Sequence, residues 1–193
     1  MGQNGGPQHQ TQDILQSYLD PRRDEVQRPD EVVRIMGLHA GQTVADVGAG
    51  SGYFSWHFSK AVGAGGAVFA VDVDPQAIDF MKQRMTKQPP PFSNIQLVSS
   101  AIDDVKLKPD SLDWVFLCEA HFFVEGDPSS MACLRTIRRA LKENGKVAII
   151  EVKNDPLRGQ VSFERLLASF VTAGFALDSK HDIYEREYFV IMK

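Results

Sequence analysis

Three glycines stand at alternate positions, Gly48, Gly50 and Gly52, directly after an apolar run, Val44–Val47, that carries an acid at Asp46. Tyr53-Phe54-Ser55-Trp56-His57-Phe58 then opens a helical pattern. The order reads as strand, tight turn, helix. Glycine lacks a Cβ, so such a turn can take positive φ and let a ligand approach the backbone. The first amides of the following helix are free to donate into the same space. A ligand with a carboxylate, ribose hydroxyls or phosphate suits that corner. A second acid, Asp72, closes the next apolar run, Ala67–Val71, 20 residues after Gly52. A carboxylate there suits a pair of ribose hydroxyls. The spacing is G-x-G-x-G, not the G-x-G-x-x-G of dinucleotide folds.

The other residues able to do chemistry follow later strands. Cys118-Glu119-Ala120-His121-Phe122-Phe123 comes after the fourth apolar run. His121, with an ordinary pKa of about 6.5, can take a proton at neutral pH. Its structural alternative is a hydrogen bond to backbone or a pairing with Glu119. Ser100-Ala101-Ile102-Asp103-Asp104 follows the third run, and Glu151, Lys153, Asn154 and Asp155 follow the fifth. Asp103 has a helix-capping alternative, and Lys153 either meets an anionic substrate or lies in a solvated loop.

The elements that must position these groups alternate. Strands are expected at Thr43–Val47, Ala67–Val71, Ile95–Val98, Leu112–Leu117 and Lys146–Glu151. Helices are expected at about Gly52–Val62, Pro75–Thr86, Ser129–Leu141 and Ser162–Ala173, the third with apolar Met131, Leu134, Ile137 and Leu141 at helical spacing. Glu143-Asn144-Gly145 reads as a turn. Strand–helix alternation implies a parallel sheet with right-handed crossovers. Two last apolar runs, Phe175–Leu177 extended to about His181 and Tyr188–Met192, follow each other without a helix, so the final strand should be antiparallel. Met1–Gln10 is glycine-rich and polar, and disorder is expected there. Residues 11–42 are read as a helical cap, with a short helix over Gln12–Leu19, a turn at Asp20–Asp24, and a helix begun by Pro29. The alternative for this arm is a solvated amphipathic segment. The remainder, 43–193, is one domain.

Asp46-x-Gly48-x-Gly50-x-Gly52, with Asp72 after the second strand, resembles the class I S-adenosylmethionine-dependent methyltransferases. The resemblance runs from about Thr43 to Lys193, and within the superfamily the chain is similar to the small-molecule branch around ubiquinone/menaquinone-biosynthesis methyltransferases. It implies an α/β Rossmann-like sheet of seven strands in order 3-2-1-4-5-7-6, strand seven antiparallel, with helices on both faces. It implies S-adenosylmethionine as cofactor and S-adenosylhomocysteine as product. By that resemblance Gly48, Ala49, Gly50, Gly52 and Tyr53 hold the methionine end, organised by Asp46. Asp72 takes the ribose, and Val73 and Ile102 pack on adenine. Asp103 accepts from the adenine amino group, although the family's Gly-Asp pair before it is replaced by serines. Glu119 and His121 stand beside the transferable methyl group as candidate catalytic residues, His121 as the general base, and Glu119 also contacts the cofactor. Tyr18, His121 and Lys153 border the substrate, with the segment Tyr18–Glu25 as the cap.

Composition excludes several classes. The chain has 193 residues, 43% hydrophobic and 24% charged, with a net charge of −4, values of a globular domain. The pI of about 5.7 gives no basic stripe for nucleic acid. No apolar run reaches the roughly 20 residues of a membrane span. The N-terminus lacks a secretory apolar core. Two cysteines, Cys118 and Cys133, fit a reduced cytoplasmic chain, and five scattered histidines offer no metal cluster. The expected partner is a small-molecule substrate, met by a monomer or homodimer. Competing readings are a non-catalytic S-adenosylmethionine-binding regulator, an NAD-dependent oxidoreductase, which the glycine spacing disfavours, and an aminopropyltransferase, which would want more acids at the transfer point.

Overall fold

The computed structural model describes residues 7–90, 93–120, 128–153 and 162–193. Its elements run α1 (Pro7–Ser17), α2 (Arg23–Gln27), α3 (Pro29–Met36), β1 (Thr43–Val47), α4 (Tyr53–Val62), β2 (Ala67–Asp72), α5 (Pro75–Lys87), β3 (Ile95–Ser99), β4 (Leu112–Cys118), α6 (Pro128–Ala140), β5 (Leu141–Val152), α7 (Phe163–Thr172), β6 (Leu177–His181) and β7 (Glu187–Met192). The seven strands form one sheet in the order β3-β2-β1-β4-β5-β7-β6. Strands β1 to β5 pair in parallel. β7 runs antiparallel to both β5 and β6. The order reverses between β1 and β4, and a crevice opens beyond the carboxyl ends of those two strands.

The central strands β1, β2, β4 and β7 are covered on both faces, which is why they read as near-continuous apolar runs, whereas the edge strand β6 is largely exposed. Alternate side chains go to opposite layers. Val44, Val68, Phe116, Ile150 and Phe189 pack with Val32 and Met36 of α3, Phe54 and Phe58 of α4 and Met81 of α5. Ala45, Val115, Leu117, Ile149 and Val190 pack with Leu134 and Ile137 of α6 and Leu166 and Phe170 of α7. Phe116 joins the first layer through ring contacts to Phe54 and Phe58 at 4.6 and 5.0 Å. Helix starts follow local chemistry. Asp74 caps α5 by accepting the Gln76 N–H at 2.8 Å, with Pro75 at the first turn. Among the described residues no helix is long and apolar enough to cross a membrane.

Three expectations are corrected. The disorder expected over Met1–Gln10 does not extend to Pro7–Gln10, which form the start of α1. The turn expected at Asp20–Asp24 is shorter, because α2 begins at Arg23. β5 begins at Leu141, five residues early, and takes in the expected turn at Glu143–Gly145. Leu141 is buried and pairs with Leu112 across a register irregularity. Between the Leu112–Leu141 and Trp114–Lys146 pairs β5 has three more residues than β4, so Glu143–Gly145 lie in a bulge within the strand and not in a turn before it.

Candidate active site

The glycine turn lies at the mouth of the crevice. Gly48, Gly50 and Gly52 have φ of +77°, +54° and +73°, a region that L side chains rarely adopt. The amides of Gly48 and Ala49 both donate to the Val71 carbonyl, at 2.8 and 3.0 Å, and tie the turn to the end of β2. A Cβ on Gly48 would stand 3.0 Å from the Ala120 Cβ, and one on Gly52 2.8 Å from the Trp56 ring. The turn is therefore wedged between the end of β4 and the start of α4.

Asp72 is 8% exposed. One carboxylate oxygen accepts the Gly50 N–H and the other the Asp74 N–H, at 2.8 and 2.9 Å. Burial raises its pKa, and the two amides oppose that rise. A carboxylate offers about four lone-pair sites, so both oxygens retain capacity for a further hydroxyl. Asp46 is 3% exposed and accepts the Ser55 hydroxyl at 2.6 Å. Burial pushes its pKa up to about 6, with the Asp72 charge adding to the rise and Arg23 and Ser55 opposing it.

Asp46, Gly48, Ala49, Gly50 and Tyr53 border a cavity of about 250 Å³, together with Tyr18, Arg23, Gln27, Ser51 and Glu119. Part of its wall comes from the N-terminal segment. The Arg23 guanidinium lies over the rings of Tyr53 and Tyr18, at 4.4 and 5.0 Å from their centroids, and donates to the Tyr18 carbonyl at 3.1 Å. The Tyr53 hydroxyl donates to Asp24 at 2.5 Å. Burial depresses the neighbouring His57 pKa, against the pull of Asp24. Gln27 is buried; its carbonyl accepts the Tyr184 hydroxyl at 2.6 Å. Its side-chain oxygen meets the Cys118 thiol at 3.7 Å. Ser51 is 1% exposed, and its hydroxyl has no hydrogen-bond partner among the described residues.

Beyond Asp72, the two expected adenine-facing side chains are exposed. Val73 is 53% and Ile102 58% accessible. The Ser100 N–H donates to the Asp72 carbonyl at 2.9 Å, which sets the loop of Ile102 beside β2. In that loop Asp104 accepts the Lys106 amide at 2.8 Å and pairs with Arg139 at 3.5 Å. Asp103 is exposed. The local capping work thus falls to Asp104, not to Asp103.

A second cavity, of about 400 Å³, lies on the other side of Glu119. It is bounded by Glu25, Val26 and Arg28, by Val152, and by Ile183–Glu187 of the β6–β7 connection. Glu119 holds a positive φ of 48° and donates its amide to the Ile150 carbonyl at 2.9 Å. It is the wall common to both cavities. One Glu187 carboxylate oxygen is buried without a partner. Burial, then the Glu119 charge, pushes the Glu187 pKa up to about 7.

The structure brings together Asp46, Gly48, Ala49, Gly50, Tyr53, Asp72, Glu119 and, at the cap, Tyr18. Tyr18, expected at the substrate, borders the cavity at the glycine turn and not the second. Lys153 borders neither; its ammonium bonds the Tyr184 and Glu185 carbonyls at 3.1 and 3.2 Å and lies 3.5 Å from Asp182. His121 falls outside the described residues. Arg23, Gln27 and Ser51 were not singled out from the sequence. The signal available for Arg23 was an arginine inside the cap segment, beside Arg22, with nothing to rank one above the other.

The methyltransferase domain model matches residues 44–145, just over half of the chain. A demethylmenaquinone methyltransferase of Oceanobacillus iheyensis is 30% identical over 147 residues, 76% of this chain and 59% of that protein. The Staphylococcus aureus enzyme of the same name is 26% identical over 145 residues, 75% of this chain and 57% of its own length. The chain therefore spans less than three fifths of these relatives. Among solved structures, a SAM-dependent methyltransferase from Aquifex aeolicus superposes with a TM-score of 0.83 at 24% identity, covering 94% of this chain and 97% of that one. With the sheet order and the glycine turn in place, the match across residues 44–145 shows that the chain belongs to the class I S-adenosylmethionine-dependent methyltransferase family.

Proposed function

We propose that this protein transfers a methyl group from S-adenosylmethionine to a small-molecule acceptor. The observation that carries the reading is the glycine turn, whose Gly50 borders the smaller cavity and donates its amide to Asp72 at the end of β2. The residues fit the cofactor. Asp72 has lone pairs left for both ribose hydroxyls. Val73 and Ile102 offer exposed apolar surface to the two faces of adenine, and Asp103 is free of the local capping that occupies Asp104. Arg23 suits the carboxylate of the amino-acid tail, since a guanidinium recognises carboxylates with directed donors. Asp46 suits its ammonium group.

When bound, the cofactor supplies an electrophilic methyl on a sulfonium. The protein's share is to hold, orient and dry the site. Positioning of this kind is worth roughly 7–11 kcal/mol in favourable cases. The cap closes the cavity through Asp24, Arg23 and Gln27 and keeps water from competing. Glu119 faces both cavities, so an acceptor entering from the larger one meets its carboxylate, which can hold an N–H or O–H while the nucleophilic atom turns toward the methyl. A general base adds about 10²–10⁴-fold, so transfer does not depend on one. Relatives named demethylmenaquinone methyltransferases support a small-molecule acceptor.

The test is incubation with methyl-labelled S-adenosylmethionine and a metabolite extract. Label moving into a low-molecular-weight product, with S-adenosylhomocysteine formed in equal amount, is the expected result. Tight binding of cofactor with no transfer to any acceptor would instead favour a regulatory binding protein.

A further inference from the structure

Arg84 of α5 lies outside the walls of both cavities described above, yet it touches the turn from behind. Its guanidinium donates to the Ser51 carbonyl at 3.0 Å and lies 3.8 Å over the Trp56 ring. Its Nε is buried and has no hydrogen-bond partner. Among the described residues no carboxylate stands within ion-pair distance of it. Burial draws its pKa down to about 10, so it remains charged at neutral pH. Arg84 is half-buried, and a partly desolvated cation without a counter-ion gains less than a solvated one. Its guanidinium makes two contacts, the stack on Trp56 and the hydrogen bond to the middle of the glycine turn.

That contact is placed where it controls the ligand side. On one flank of Ser51, the Gly50 amide is fixed on Asp72. On the other, Trp56 and Met81 leave no room for a Cβ at Gly52, which would stand 2.8 and 3.2 Å from them, and the Trp56 indole N–H is anchored on the Gln88 carbonyl at 3.2 Å. The near end of α5 holds Asp72 through the Asp74 amide. One helix thus grips the ribose carboxylate at its start and the turn at Arg84. We propose that Arg84 is a positioning residue for the cofactor. By holding the Ser51 carbonyl and stacking on Trp56, it keeps the Gly50–Ser51 turn, which borders the cavity, in place against the Asp72 carboxylate. The inference rests on the methyltransferase reading.

The full chain with Arg84→Met and Arg84→Lys is compared with wild type by calorimetry against S-adenosylhomocysteine and by melting of the ligand-free protein. Arg84→Met is expected to weaken binding about tenfold, with the ligand-free Tm little changed because the lost contacts are offset by removal of a partly desolvated cation without a counter-ion. Arg84→Lys, which keeps the charge but loses the planar stack, should recover part of the affinity. Amide exchange at Gly50 and Ser51 should quicken in both variants, and if Arg84→Met fails to fold, exchange and affinity in Arg84→Lys carry the test. Wild-type affinity in Arg84→Lys and Arg84→Met, or a loss confined to Tm, would overturn the inference while leaving the methyltransferase reading intact. A wild-type protein that binds no S-adenosylhomocysteine would remove both.

Discussion

The Asp72 carboxylate accepts the Gly50 amide at 2.8 Å, across 22 residues of sequence. The carboxylate at the end of β2 is therefore aimed by the turn that follows β1. Removing it should damage two things at once. Asp72→Ala is expected to weaken S-adenosylhomocysteine about 100-fold, the loss of two charge-assisted hydrogen bonds. Asp72→Asn should recover little, because its NH₂ would face either the Gly50 or the Asp74 amide, donor against donor. Calorimetry on both variants checks this.

Arg23 gives a sharper test, because its proposed partner is one part of the ligand. Arg23→Gln should weaken S-adenosylhomocysteine by roughly tenfold or more, as a lost charge-assisted pair does. Affinity for 5′-methylthioadenosine, which has no carboxylate, should stay within about twofold. Equal losses for both ligands would mean that Arg23 acts only by stacking on Tyr18 and Tyr53.

Asp46 has a pKa raised from 3.8 to about 6 by burial. The native state therefore binds more protons than the unfolded chain between these values, and its stability falls as pH rises through that window. Above pH 6 the cost is of order 3 kcal/mol. Asp46→Asn removes the charge, so the ligand-free variant should melt about 5 °C above wild type at pH 7.5, with the gap closing toward pH 4. The same variant should bind S-adenosylhomocysteine more weakly. A Tm difference that does not vary with pH would contradict the assignment.

How much of this was legible in the sequence depended on whether the signal was local. The order of strands and helices was readable because doubly covered strands show as apolar runs, and the closing hairpin because Phe175–His181 and Tyr188–Met192 have no helix between them. Asp46, Gly48, Gly50 and Gly52 lie within seven residues and carry their geometry with them, and Asp72 was marked by closing the next apolar run. The early start of β5 was not readable, because Leu141 is held by Leu112, a partner 29 residues away. Nor was the choice of Arg23, set by stacking on Tyr53 30 residues later. Lys153 shows the converse. Its charge suggested a substrate contact, yet hairpin carbonyls occupy it.

Gly48→Ala measures how closely the turn is packed. The residue would need φ near +77° and a Cβ 3.0 Å from that of Ala120. The left-handed conformation alone costs about 1–2 kcal/mol. A Tm lower by several degrees is expected, together with weaker cofactor binding, since Ala120 adjoins Glu119 on the cavity wall. Unchanged melting would mean that the ends of β1 and β4 are less tightly joined than the distances indicate.

The most direct measurement is calorimetric titration of the intact chain with S-adenosylhomocysteine and, separately, with NAD. The expected result is one site per chain for S-adenosylhomocysteine, a raised Tm in its presence, no heat with NAD, and loss of the site in Asp72→Ala. Binding of NAD alone, or S-adenosylhomocysteine binding that Asp72→Ala leaves untouched, would contradict the account.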